Sequence, residues 1–163
     1  MTKIFFYIKI TTKVIVIVVI KRGGFMRLST RARYGTRLML ELALNFDKGT
    51  IFLKDIAKKE EISEKYLSHL VIPLRASGLI NSSRGAHGGY SLAKPPSQIT
   101  LNEIVKTLEG GISCVECVKN PSVCHRVSKC VTRGIWEKLD EKISDELNSV
   151  TLEDLVNSQK EIN

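Results

Sequence analysis

All four cysteines of the chain lie within one short stretch. They are Cys114, Cys117, Cys124 and Cys130, with two, six and five residues between successive members. Such clustering indicates one shared ligand, because a disulfide framework usually ties distant parts of a small secreted chain together. Thiolates bind both zinc and iron-sulfur clusters, and they also react directly with oxidants. Residue type and spacing therefore leave three chemistries open: an iron-sulfur cluster, a zinc site and a thiol redox sensor.

A second set of residues has the chemistry needed to contact nucleic acid. A helix in the major groove reads base edges with the polar side chains of its first turns, and flexible cations reach phosphates or a minor groove. The candidate base readers are Ser63, Glu64, Lys65, Ser68 and His69, and the candidate backbone or minor-groove contacts are Arg27, Arg31, Arg33 and Arg84. On the blander interpretation, the arginines near residue 30 are only a solvated helix face, and His87 is only a turn residue.

The charge distribution points to the same class of partner. The formal net charge is +8, and the basic residues are concentrated in the front half, whereas the last part of the chain is acidic. Lys and Arg displace condensed counterions from phosphates, so a basic surface favours a polyanion. No Ser/His/Asp arrangement, phosphate-binding loop or paired-carboxylate site is recognisable. We therefore expect no enzyme, and an iron-sulfur carrier or enzyme is the least favoured alternative.

Residues 1–25 form an apolar and basic extension. Its longest uncharged apolar run, Val14 to Ile20, is far shorter than the roughly 20 residues that span a bilayer, and no small-residue cleavage site follows. We expect no membrane partner and a cytoplasmic protein. The favoured interpretation of the extension is a misassigned start, with translation beginning at Met26; a disordered or strand-like segment comes next and a membrane anchor last.

The candidate base readers lie within a pattern typical of a helix-turn-helix. Apolar residues at four-residue spacing from Tyr34 to Phe46 predict one amphipathic helix from Ser29 to near Asn45. A short helix is predicted over Leu53 to Glu60, and Ser63 can cap a second helix, which Pro73 should kink or end early and Gly78 should stop. Two short helices about a tight turn fit a helix-turn-helix.

A hairpin should follow the second helix directly. Residues 79–83 and 89–93 predict two strands around the glycine-rich segment 84–88. A hairpin directly after a recognition helix is a wing. The sequence therefore predicts a mainly α fold with a small β wing, in which residues 26–94 form a winged helix-turn-helix domain.

Residues 95–163 should hold the cysteine loop and a long dimerisation helix. Thr100 and Glu103 form a capping box, and Gly110 with Gly111 ends the helix that it opens. Beyond Cys130, apolar residues recur every four residues and predict a long helix: Val131, Ile135, Leu139, Ile143 and Leu147, with Trp136 beside them. We expect this stripe to pack against a second copy of the chain, the alternative being that it folds back on its own helix-turn-helix. Thr151 and Asp154 should begin a short last helix.

Several short motifs occur together along residues 26–156. They are Met26-Arg27-Leu28-Ser29, Arg33-Tyr34, Asp55-Ile56-Ala57, Ile62-Ser63, Tyr66-Leu67, Leu74-Arg75, Gly78-Leu79, Arg84-Gly85, Gly88-Gly89-Tyr90 and Thr151-Leu152-Glu153-Asp154-Leu155. In this combination the chain resembles the Rrf2 family of transcription regulators, in its IscR-like and NsrR-like branches. The resemblance implies a winged helix-turn-helix homodimer joined through the long helix, which binds a palindromic double-stranded DNA operator.

The resemblance also implies a metal cofactor. Cluster-binding members hold an iron-sulfur cluster through three cysteines, which match Cys117, Cys124 and Cys130, and 2Fe-2S is favoured here over 4Fe-4S. IscR-type members carry a histidine as fourth ligand three residues after the last cysteine, where this chain has Arg133, which does not coordinate iron. Cys114, His125, a carboxylate or a group of the partner subunit are the remaining candidates, with Cys114 first.

The target DNA can differ as well, because Ser68 stands where IscR-type proteins carry a glutamate that discriminates promoters. The hypothesis from sequence is a transcription regulator, in the first instance a repressor, whose operator binding depends on an iron-sulfur cluster and hence on iron, oxygen or nitric oxide. The alternative is the same regulator with a thiol redox sensor or a zinc site.

Overall fold

The computed structural model describes residues 28–85 and 88–162. The extension over residues 1–25, the candidate DNA contact Arg27 and the turn residue His87 lie outside this part of the chain. The elements in chain order are α1 (Thr30–Leu44), α2 (Leu53–Glu60), α3 (Glu64–Ala76), β1 (Ile80–Ser83), β2 (Gly89–Leu92), α4 (Leu101–Glu109), α5 (Glu116–Lys119), α6 (Arg133–Ser149) and α7 (Leu152–Ile162). Short 3-10 turns occur at Pro96–Gln98, Pro121–Val123 and Val127–Lys129.

The first helix, α1, forms the centre of the core. The Ser29 hydroxyl accepts hydrogen bonds from the backbone N–H groups of Arg31 at 3.0 Å and Ala32 at 3.3 Å, which caps the helix. The predicted stripe is confirmed, because Leu38, Met39, Leu42 and Ala43 are all buried. Helices α2, α3, α4 and α7 pack around it.

The helix-turn-helix is formed by α2 and α3, as predicted. Glu61, in the left-handed region at φ 54°, ends α2, and the Ser63 hydroxyl accepts from the Tyr66 N–H at 3.2 Å to open α3. The early end, one of the two effects predicted for Pro73, is wrong, because α3 continues to Ala76. Gly78, at φ 72°, then turns the chain, and the Leu79 N–H donates to the Leu74 carbonyl at 3.0 Å.

The predicted wing is an antiparallel hairpin of β1 and β2, with Ile80 opposite Leu92 and Ser83 opposite Gly89. The segment before α2 joins it, since Ile51 and Tyr90 exchange two backbone hydrogen bonds of 2.9 Å. Gly89 is required at this junction: its φ is 148°, and a Cβ there would lie 2.6 Å from the Ile51 carbonyl oxygen. The start of α2 is therefore fixed to the wing.

The C-terminal elements return to the first core. The capping box of Thr100 and Glu103 opens α4, as predicted, and α4 packs on α1 where Leu108 lies against Gly35. The Thr151 and Asp154 side chains cap the start of α7. Leu152 is fully buried in the same cluster as Leu38 and Ile104.

The long predicted helix is α6, and much of its apolar face is open to solvent. Val131 just before it is 91% exposed, and on the helix Ile135 is 60% and Leu139 40% exposed. Ile143 and Leu147 are only partly buried. Across residues 28–85 and 88–162, no helix is both long and apolar enough to cross a membrane.

Candidate DNA-binding surface and cysteine site

The five predicted base readers are brought together at the front of α3. Ser63, Glu64, Lys65, Ser68 and His69 are all exposed there. The Ser68 hydroxyl donates to the Glu64 carbonyl at 2.9 Å, so its oxygen remains available as an acceptor. The first turns of α3 thus present hydroxyl, carboxylate, ammonium and imidazole groups to solvent, the mixture needed for contacts to base edges.

A groove of about 510 Å³ separates α3 from the wing. Glu64 and Ser68 line it on the helix side, Arg84 lines it on the wing side, and Lys54 lies at the start of α2. Arg75, near the end of α3, also lines the groove and donates to the Ser82 hydroxyl on β1 at 3.3 Å. Among the described residues that line the groove, the cations Lys54, Arg75 and Arg84 outnumber the one carboxylate, Glu64, so the groove attracts an anion.

Lys54 and Arg75 were missed by sequence reasoning, because only the fold brings the start of α2 and the end of α3 to the wing. Arg31 and Arg33 are exposed on the first turn of α1, as predicted, and are not among the described residues that line the groove. The Arg33 guanidinium donates to the Thr30 hydroxyl at 3.3 Å. Arg31 and Arg33 therefore lie apart from the surface formed by α3 and the wing.

The cysteine loop is more structured than a plain loop. Cys117 lies in the single turn of α5, Cys124 follows a 3-10 turn, and Cys130 is three residues before α6. All four cysteines are reduced and partly exposed, and none of them is in a disulfide. Within the described residues, this conformation does not gather three or more His, Cys, Asp or Glu side chains closely enough to hold a metal ion.

Two of the cysteines have different electrostatic surroundings. The hydroxyl of Thr132, 3.3 Å from Cys130 Sγ, and the backbone N–H of Arg133 lower the pKa of Cys130, which favours the thiolate. Burial, and then the hydrogen bond and negative charge of Asp140, raise the pKa of Cys114 to about 11. Cys130 is thus prepared to act as a ligand or nucleophile, whereas Cys114 stays a neutral thiol.

Residues 28–158 match the Rrf2 family of iron-dependent transcriptional regulators. The chain belongs to the Rrf2 family. It is 41% identical over 131 residues to protein rrf2 of Nitratidesulfovibrio vulgaris, covering 80% of this chain and 87% of that protein. The structure of CymR, the global cysteine regulator of Bacillus subtilis, is similar with a TM-score of 0.68 and 40% identity, over 81% of this chain and 97% of that chain.

A second solved structure shares the Rrf2 fold. It is the IscR of T. potens, with a TM-score of 0.70 and 36% identity, over 84% of this chain and 90% of that chain. The expected winged-helix fold is confirmed by these neighbours. Like its Rrf2 relatives, the chain is a DNA-binding transcription regulator.

Arg133 stands at the position where the resemblance to IscR-type proteins implies a ligand histidine. Arg133 Nε lies 2.8 Å from the Glu137 carboxylate, one turn further along α6, and the Arg133 side chain is 19% exposed. The guanidinium is thereby held in an ion pair on the helix. His125, another candidate fourth ligand, is exposed on the loop.

The cysteines fit an iron-sulfur cluster by the chemistry of their donors. Cys117, Cys124 and Cys130 supply three reduced thiols on a partly exposed loop, and Cys130 is already biased towards the thiolate form that binds metal. Because the three are not gathered in this conformation, binding requires the loop to rearrange.

Proposed function

We propose that this Rrf2-family chain is a repressor whose operator binding is controlled by an iron-sulfur cluster, responding to iron, oxygen or nitric oxide. The observation that carries the proposal is that Cys117, Cys124 and Cys130 lie as free thiols on one loop that leads directly into α6. Residues 26–94 act as the DNA-binding unit, and residues 95–163 hold the cysteine loop and the dimer helix.

DNA is read by α3 and the wing. Ser63, Glu64, Lys65, Ser68 and His69 contact base edges in the major groove, and Arg84 at the wing contacts a phosphate or the minor groove. Arg31 contacts the backbone at the front of α1, and Arg27 is assigned the same role from sequence. The exposure of the described members of this set supports the assignment.

Helix α6 forms the interface of a homodimer. An apolar face with Ile135 at 60% and Leu139 at 40% exposure is costly to leave in water, and a second copy of the same helix offers a self-complementary cover. A twofold dimer places two recognition helices symmetrically, which matches a palindromic operator.

Cys117, Cys124 and Cys130 are the cysteines that would hold the cluster. A bound cluster supplies redox-sensitive iron–thiolate bonds, and a 2Fe-2S form is favoured over 4Fe-4S. Cys130 lies three residues before α6, and its carbonyl accepts a hydrogen bond from the Arg133 N–H at 3.3 Å. A rearrangement of the loop is therefore passed to the first turn of α6. DNA affinity changes if the two loop conformations bind the cluster unequally.

A thiol redox sensor on the same fold is the second candidate. The lowered pKa of Cys130 favours it, because the thiolate is the form that oxidants attack. A zinc site formed by the same thiols is the third candidate. Metal and sulfide content of protein purified without oxygen separates the three.

The test is DNA binding by full-length protein with and without reconstituted cluster. The DNA probe is a duplex that the protein itself selects from a random-sequence pool. The selection is carried out anaerobically with both preparations, the one with reconstituted cluster and the one without. We expect the affinity for this duplex to differ at least about 10-fold between the preparations, within the usual range of allosteric coupling. Equal affinity would overturn the switch, and failure to select any duplex would overturn specific operator binding.

A further inference from the structure

The first residues of the cysteine loop are attached to α6 through one carboxylate. Asp140 Oδ1 accepts the backbone N–H of Cys114 at 2.7 Å, and Asp140 Oδ2 accepts the hydroxyl of Ser113 at 2.7 Å. The thiol of Cys114 hydrogen-bonds to the same carboxylate. Neither Asp140 nor Ser113 was a candidate site residue in the sequence. The two are 27 residues apart along the chain, so only the fold shows that they are in contact.

Asp140 lies on the side of α6 that faces the loop. Arg133, Glu137 and Asp140 follow each other at spacings of four and three residues, so they share one face, and all three are partly buried. Ile135 and Leu139 lie on a different face and are exposed. Helix α6 therefore holds the loop on one face while it presents the proposed dimer surface on another.

Both ends of the loop are thus fixed to the same helix. Cys130 runs directly into α6, and Ser113 with Cys114 binds Asp140, seven residues and about 10 Å beyond Arg133. Fixing both ends of a long loop reduces the conformational freedom of everything between them. Cys117 and Cys124 lie in that closed segment.

We propose that Ser113, Cys114 and Asp140 form a latch that closes the cysteine loop onto α6, and that Cys114 serves there as a hydrogen-bond donor and not as a cluster ligand. A thiolate at Cys114 would place a second negative charge against Asp140 and remove a donor that the carboxylate uses. Asp140 is a positioning residue, because it acts on the loop and not on the metal. The ligand half rests on the proposed cluster function, whereas the latch half does not.

The latch is tested on full-length, metal-free protein by hydrogen exchange of the Cys114 amide. Asp140→Ala should accelerate this exchange about 10-fold or more, because the amide loses a charge-assisted hydrogen bond. The matched control is Glu141→Ala, which removes an exposed carboxylate from the next position of α6. Asp140→Asn keeps the shape and should give an intermediate rate. Unchanged exchange in folded Asp140→Ala would overturn the latch.

The role of Cys114 is tested by iron and sulfide content after anaerobic reconstitution. We expect Cys114→Ala to keep the wild-type content and Cys117→Ala to lose most of it. Equal loss in both variants would overturn the assignment of Cys114 as a donor. If the wild type binds no iron, the ligand half fails together with the proposed cluster, and the exchange experiment still decides the latch.

Discussion

Replacing Arg75 with glutamine should reduce the salt dependence of DNA binding. Arg75 lines the groove between α3 and the wing and donates to the Ser82 hydroxyl at 3.3 Å, so we expect its guanidinium to neutralise one DNA phosphate. Each phosphate neutralised by a cation contributes about 0.9 to the slope of log K against log salt. The slope should therefore become less steep by about 0.9 for each copy of the chain on the DNA.

The magnitude is measurable with ordinary binding titrations. A slope change of about 0.9 alters the ratio of affinities at 50 mM and 200 mM salt by roughly threefold per copy. Fluorescence anisotropy with the selected duplex at four salt concentrations gives the slope. Lys160→Gln, which removes one exposed positive charge from α7, is the matched control and should leave the slope unchanged. Equal slopes for the wild type, Arg75→Gln and the control would refute a contact between Arg75 and a DNA phosphate.

Three further outcomes follow from the packing and electrostatics. In metal-free protein at pH 8, iodoacetamide should modify Cys130 before Cys114, because the pKa of Cys130 is lowered while that of Cys114 is raised to about 11. Mass spectrometry measures both rates, and faster modification of Cys114 would contradict these pKa shifts. Gly35→Ala should lower stability by about 1–3 kcal/mol, since its Cβ would lie 2.0 Å from buried Leu108 Cδ1, and an unchanged urea midpoint would disprove this contact. Ile135→Asp should convert a dimer to monomers in sedimentation experiments, and persistence of the dimer would exclude α6 as its interface.

Local signals in the sequence predicted most of the fold. Ser63 and the Thr100–Glu103 box are caps whose hydrogen bonds join residues three apart, so their effect is visible from spacing alone. The glycine-rich turn likewise predicted the wing. Of the two effects predicted for Pro73, a kink or an early end, the early end is wrong, because three helical residues follow it before the turn at Gly78.

The candidate site was less predictable because it depends on contacts between distant segments. The polar residues at the front of α3 follow from one helix, whereas Lys54 and Arg75 reach the groove only once α2, α3 and the wing are packed. Asp140 was not singled out from the sequence, and only the fold shows that it binds Ser113 and Cys114. The spacing of the cysteines indicated a shared ligand but not the attachment of their loop to α6.

The proposed regulator holds an iron-sulfur cluster through Cys117, Cys124 and Cys130. The direct measurement is iron, zinc and acid-labile sulfide per chain in protein purified without oxygen, alongside its visible spectrum and the Cys117→Ala variant. We predict about two iron and about two sulfide per wild-type chain, and loss of both in the variant. Stoichiometric zinc, or a wild-type chain with neither iron nor sulfide, would contradict the proposal.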